Sequence, residues 1–281
     1  MNTIRRIKRI VTGERAIDGA GVKLTRIVGH NDVADFDPFL LLDGFGSDNP
    51  EDYIKGFPWH PHRGIETVTY MMSGKVAHGD SIGNAGTISD GDCQWMTAGG
   101  GIIHQEMPQE SAYLSGVQLW INLPATQKMV APKYRDITSE MIPEVIDENG
   151  ATVKIISGQY NDQRGAMEAD YVQATYLDIS LEPNREWTIK LPPSDTAFVY
   201  IIEGKGQFSS DENKIIGARH AVLFDDGDLL WAKTTETPVR FLLLSAPPLK
   251  EPIAWGGPIV MNTKEELDLA FKELNEGNFL K

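Results

Sequence analysis

The chain has a single cysteine, Cys93, among 281 residues, so no disulfide can close within it and a reducing, cytoplasmic setting is expected. Long apolar runs are missing as well. Nothing approaches the ~20 consecutive apolar residues of a membrane-spanning helix, and no apolar stretch of roughly 7–15 residues follows the N-terminal basic residues as a secretory leader requires. Positive charge is scarce: 26 Lys and Arg stand against 40 Asp and Glu, a formal charge of −14. Such a surface repels a phosphate backbone, which excludes direct nucleic-acid binding as the expected activity and favours basic proteins as partners. The one basic cluster, Arg5, Arg6, Lys8 and Arg9, is interleaved with Ile4, Ile7 and Ile10 and reads as a strand or exposed arm. Helical periodicity is equally rare. It is convincing only near the C-terminus, where Thr263 and Glu266 match a capping box and Leu267, Phe271 and Leu274 follow at helical spacing.

What the chain does contain is short β-branched and aromatic runs between Gly, Asp, Asn and Pro, the pattern of barrel or sandwich strands. Two of them recur. TVTYMMSGK at 67–75 resembles AFVYIIEGK at 197–205, and DGDCQWM at 90–96 resembles DGDLLWA at 226–232, offset by 130 and 136 residues. Duplicated β units in the same order predict an all-β protein of two tandem barrels with a short C-terminal helix. At roughly 150 residues per domain the length suits two. The expected division is an N-terminal barrel over 1–124, a linker or crossover over 125–169, which is polar and carries Pro132, Pro143 and the acidic run from Glu144 to Glu148, and a C-terminal barrel with its helix over 170–281.

Six histidines occur, and three of them fall in two compact groups in the first barrel: His60-Pro61-His62 and His104-Gln105-Glu106. Residues i and i+2 on a strand share a face, so each pair can aim two side chains inward. Three imidazole nitrogens and a carboxylate suit a borderline divalent ion such as iron, nickel, manganese, copper or zinc, and not calcium or magnesium. Glu66, four residues after His62 and on the same strand parity, is an alternative carboxylate. Adding the repeat offsets places Lys190, Pro192, Arg240 and Leu242 at the corresponding positions of the second barrel, so that half is expected to hold no metal; His220 reads as a turn or surface residue. His78 reads as a hydrogen-bonding or pocket residue, and Arg63 as an anion holder or a salt-bridge partner. Trp59, Trp95, Met96, Met107 and Trp120 are candidates for core or cavity lining, and Cys93 for a buried inert thiol.

The order H-x-H-x3-E, a Gly-ended strand and a later His resembles the two motifs of the cupin superfamily, with seven residues in place of six between Glu66 and Gly74. The block HPHRGIETVTYMMSGKVAHGDSIGNAGTISDGDCQWMTAGGGIIHQEMP at 60–108 resembles the signature of the pirin family, and WGGPIVMNTKEEL near the C-terminus its closing segment. That resemblance implies two cupin-type jelly-roll barrels and one metal, bound by His60, His62, His104 and Glu106, with Glu66 a supporting carboxylate. It favours Fe(II), with Ni, Mn, Cu and Zn compatible. Gly100 departs from the family, many members of which carry Arg in this turn.

Three His and one Glu on a six-coordinate ion leave about two positions open, the condition for catalysis rather than a closed structural site. The resemblance implies a dioxygenase of the quercetin 2,3-dioxygenase type, taking O2 and a flavonol or related aromatic enediol. Glu106 is then expected as base for the substrate hydroxyl and His62 as the ligand whose loss removes turnover. The alternative it implies is a non-enzymatic regulator that binds a transcription factor or metabolic enzyme according to metal redox state.

Overall fold

Side chains alternate between the faces of a strand, so burial with a period of two marks which residues a barrel takes inside. The chain folds that way in two units in its computed structural model, which describes residues 3–210 and 214–281. One unit comprises Met1–Gly13, Ala34–Pro38 and Glu140–Pro248, the other Glu14–Val33, Phe39–Ser139 and Leu249–Lys281. Among the described residues no helix is long and apolar enough to cross a membrane.

The first of these units is built on a ten-stranded sheet. Its edge strand β1 (Ile7–Thr12) pairs with His220–Phe224, which leads through Thr196–Gln207, Val239–Ala246, Thr175–Leu181 and Thr152–Ser157 to Glu144–Ile146. Val153, Ile155, Trp187, Val199, Phe241 and Leu243 lie in its buried core. The positions corresponding to the histidine pairs carry no ligand: Arg240 forms a two-bond ion pair with Asp178 at 3.0 and 2.7 Å, and Lys190 is exposed. His220 Nδ1 faces the carbonyl oxygens of Gly217 and Ala218 at 3.1 and 3.0 Å, a turn role.

The second unit has two sheets. β2 (Glu14–Asp18), β3 (Val22–Val28), β4 (Phe39–Ser47), β6 (Ile65–Ser73), β9 (Cys93–Thr97), β11 (Leu114–Asn122) and β12 (Lys133–Ile137) form a seven-stranded sheet in the order β12-β9-β6-β11-β4-β3-β2. β5 (Phe57–His62), β7 (Lys75–Asp80), β8 (Ala85–Ile88) and β10 (Ile102–Gln109) form a four-stranded one in the order β5-β10-β7-β8. Met71 and Leu114 of the first sheet pack with Val76 and Ile88 of the second, closing the jelly roll. Pro58 and Pro61 cannot donate to a ladder, which suits the place of β5 at a sheet edge. Cys93 is fully buried, and burial pushes its thiol pKa up.

The division departs from the boundaries expected from sequence. Residues 3–13 belong with the second repeat, through the pairing of β1 with His220–Phe224, and 249–281 belong with the first. Part of the expected linker is sheet: Lys133–Ile137 pairs with β9, and Thr152–Ser157 with Thr175–Leu181, because Val153 and Ile155 alternate inward beneath the polar residues that suggested a loop. The capping box forms, with Glu266 N donating to Thr263 Oγ1 at 3.2 Å and Thr263 N to Glu266 Oε2 at 3.0 Å. Its helix, Lys264–Asn275, lays Leu267, Phe271 and Leu274 on Ile103, Ile259, Met261 and Phe279 of the histidine-bearing unit, not on the second repeat.

Lys128 is buried in that unit, where its Nζ donates to Gly64 O at 2.9 Å, Val260 O at 2.9 Å and Asn122 Oδ1. Gly64 lies at φ +78, and a Cβ there would stand 2.0 Å from the Val260 carbonyl oxygen, so only glycine fits this close approach. Burial brings the Lys128 ammonium pKa down from 10.5 to about 7. Between those values the unfolded chain binds more protons than the folded one, so stability rises with pH across that window and the contribution is lost below about 7. Relative to Lys128→Met, urea unfolding of the wild type is expected to gain up to about 1.4 kcal/mol per pH unit from pH ~7 to ~10 and to run parallel below it.

Candidate metal centre

β10 is buried at alternate residues, which sends Ile102, His104 and Glu106 inward. β5 lies antiparallel beside it with His60 opposite His104 and His62 opposite Ile102. Local chemistry and register therefore bring His60, His62 and His104 together: one nitrogen from each falls in a group whose members all lie within 4.8 Å. Among the described residues this is the one such group of three.

The hydrogen bonds around the rings fix their aim. His60 Nδ1 lies 2.9 Å from Pro58 O and His62 Nδ1 3.2 Å from Pro258 O; a carbonyl only accepts, so both Nδ1 atoms carry the proton and donate. Each Nε2 then presents a lone pair, and the two stand 3.0 Å apart. Facing lone pairs at that distance repel unless a proton or a cation lies between them. Two nitrogens roughly 2.1 Å from a common ion and at about a right angle are separated by this length. His104 is buried, and among the described residues neither of its nitrogens has a hydrogen-bond partner. Burial first, then neighbouring imidazoles, holds His62 and His104 well below the usual histidine pKa, in the neutral form that ligates. Backbone-oriented nitrogens and an orphaned buried imidazole fit a divalent transition ion.

Glu106 follows His104 across a register shift and lies outside the three-nitrogen group. Its Oε1 accepts from Thr69 Oγ1 at 2.8 Å. Burial raises its pKa, opposed by the neighbouring His60 imidazole and the Thr69 bond. Glu66 accepts from Thr97 Oγ1 at 2.6 Å and, three residues from Thr69, lies on the other face of β6.

His60 and His62 open onto a cavity of about 620 Å3 walled by Val22, Leu24, Phe57, Trp120 and Trp255. Trp120 meets His62 edge-on at 5.1 Å, Trp255 lies 5.8 Å from Trp120, and His30 stacks on Trp255 at 3.7 Å. Sequence reasoning missed His30 and Trp255. The second stood within the WGGP segment, where the resemblance to a family's closing segment was its only signal.

Other candidates fall elsewhere. Trp59 lines the cavity but is 55% exposed, whereas Trp95 and Met96 are core and Met107 does not border the cavity. His78 is buried, stacks on Tyr134 at 5.1 Å and lies 3.4 Å from Asp136. Arg63 turns away from the pocket and bonds to Gly100 O, Glu273 and Phe279 O. At Gly100 a Cβ would face Met129 and Lys281 rather than the histidines.

Residues 21–121 match the family model Pirin, and residues 176–280 match Pirin C-terminal cupin domain. Pirin-1 of Arabidopsis thaliana is 44% identical over 91% of this chain and 88% of its own length. A pirin-like protein of Caulobacter vibrioides is 41% identical over 98% of this chain and 99% of its own. A crystal structure of quercetin 2,3-dioxygenase from Acinetobacter baumannii superposes with a TM-score of 0.90 at 32% identity, covering 99% of both chains.

Proposed function

The chain belongs to the pirin family, and from that premise we propose that it is a cytoplasmic, metal-dependent dioxygenase that opens the ring of a flavonol or related aromatic enediol. The observation that carries the reading is the histidine cluster, two of its rings oriented by backbone carbonyls and bordering a largely apolar cavity. The structural likeness to a quercetin 2,3-dioxygenase supports it.

His60, His62 and His104 would hold the ion with Glu106 as fourth ligand, and Fe(II) is the ion favoured by the family. When bound, the metal supplies redox and Lewis-acid chemistry for joining O2 to an enediol. Trp120, Trp255 and His30 offer flat faces to aromatic rings and, with Val22 and Leu24, exclude water. Glu106, whose pKa burial has raised, takes the proton of the substrate hydroxyl at a carboxylate oxygen. His62 acts through its place in the cluster. The cavity suits an uncharged aromatic: its cation, Arg26, is already committed to Asp43 and Asp18 at 2.7 and 2.8 Å.

The test is spectroscopic. Metal-loaded protein in air is expected to bleach quercetin with release of carbon monoxide. Removal of O2, chelation or His62→Ala should each lower the rate at least ~10²-fold, since loss of a ligand weakens a metal site by that order. Unchanged spectra across Fe, Ni, Mn, Cu and Zn would refute the reading in favour of a regulator acting on a protein partner.

A further inference from the structure

A row of polar side chains crosses the seven-stranded sheet at one level. Register sets Arg26 opposite Asp43, Asp43 opposite Gln118, Gln118 opposite Thr69, Thr69 opposite Gln94 and Gln94 opposite Asp136. Residues directly opposite on neighbouring strands share a face, so this is one continuous stripe. Burying such a stripe is unfavourable unless its members are bonded. Its ends are bonded within the row, Arg26 to Asp43 at 3.0 and 2.7 Å and Gln94 to Asp136 at 3.5 Å. The middle reaches across the barrel: Thr69 Oγ1 stands 2.8 Å from Glu106 Oε1, on the other sheet, and 2.5 Å from the Gln118 side-chain amide.

A hydroxyl has one hydrogen to give. If Thr69 donates it to the Glu106 carboxylate, its own oxygen is free to accept from Gln118; the atom placed against it is Gln118 Oε1, and exchanging the amide's O and N by a flip turns the NH2 to the hydroxyl as donor. Thr69 is suited to anchoring. It is 3% exposed on β6, between β9 and β11, and its branched Cβ stiffens χ1. Glu106 needs an anchor, because it has several rotatable bonds and follows a register shift, whereas two of the histidines are aimed by backbone carbonyls.

We propose that Thr69, backed by Gln118, is the positioning residue that fixes where the Glu106 carboxylate stands beside the three histidines, so that metal affinity is governed partly from the opposite sheet. This rests on the metal-dependent reading above. Gln118 also borders the cavity, which puts one end of the relay within reach of a bound substrate.

Calorimetric titration of the chelator-stripped chain with Ni(II) tests it without turnover. Thr69→Val is expected to weaken binding about 10–100-fold, the usual effect of removing a hydrogen-bond partner of a ligand, with Thr69→Ser restoring it to within ~3-fold and Gln118→Met losing at least ~5-fold. Thr97→Val is the matched control. It removes an equally buried Thr-to-Glu bond, at 2.6 Å to Glu66 on the other face of the sheet, and should leave affinity within ~3-fold. Thr69→Val binding Ni(II) as the wild type does overturns the proposal; should that variant not fold, unchanged affinity in Gln118→Met overturns it. If the unaltered chain binds no Ni(II), it is the metal reading that falls, and the proposal with it.

Discussion

Replacing His104 by leucine is expected to leave the metal-free protein at least as stable as the wild type, by up to about 2 kcal/mol, while removing the stabilisation that a divalent ion confers. His104 is 0% exposed, and neither nitrogen has a hydrogen-bond partner among the described residues. A buried polar group left unpaired costs about 1–3 kcal/mol, and an apolar side chain of similar size avoids it. Protonation offers no escape, because burial and the imidazoles of His62, His60 and His78 disfavour the charged ring. With metal the sign reverses. If four ligands share roughly 10–16 kcal/mol, losing one weakens binding about 10²- to 10³-fold. Thermal melts in chelator and in Ni(II) separate the two effects: wild type should gain about 4 kcal/mol at a thousandfold excess over Kd, and His104→Leu at most about 1.4. A chelated variant more than ~2 kcal/mol below chelated wild type would instead make the ring a packing element.

The inward aim of the histidines and Glu106 was legible because a strand has a period of two, and His60/His62 and His104/Glu106 are spaced by two. The same rule, applied to Arg63, already sets it on the opposite face from His62; adjacency in sequence suggested a pocket role that alternation denies. The repeats revealed two barrels but not where the chain crosses between them. β1 pairs with His220–Phe224 more than 200 positions away, and long-range antiparallel pairing leaves no local trace. His30 and Trp255 escaped notice for the same reason, their 3.7 Å stack joining residues 225 apart. Glu106 was readable as a residue near the histidines, but its link to Thr69 was not, because that bond joins two sheets whose register only the fold supplies.

The largest loss of stability is expected at Arg63. Its side chain is 2% exposed; Nε donates to Gly100 O, Nη1 to Glu273 Oε2 and Nη2 to Phe279 O, each at 2.7 Å, and the guanidinium lies 4.3 Å from the Phe279 ring. One side chain thus ties the end of β5 to the turn before β10, to the C-terminal helix and to the tail. Arg63→Ala strands two carbonyls and leaves Glu273 only its bond to Lys281, so a destabilisation of about 3–5 kcal/mol is expected in urea unfolding. Lysine, with one compact ammonium, cannot serve three acceptors spread around a planar fork, and Arg63→Lys should recover less than half of the loss. The effect should reach the metal centre. Arg63 O accepts from Val260 N at 3.0 Å, and two residues earlier Pro258 O receives the His62 Nδ1 proton, so loosening the segment frees that ring to turn. Limited proteolysis should then cut Arg63→Ala within 249–281 before any other site, with Ni(II) affinity falling about 10-fold or more. A change in unfolding free energy below about 1 kcal/mol would mean that water replaces these contacts without penalty and that the C-terminal segment holds itself in place.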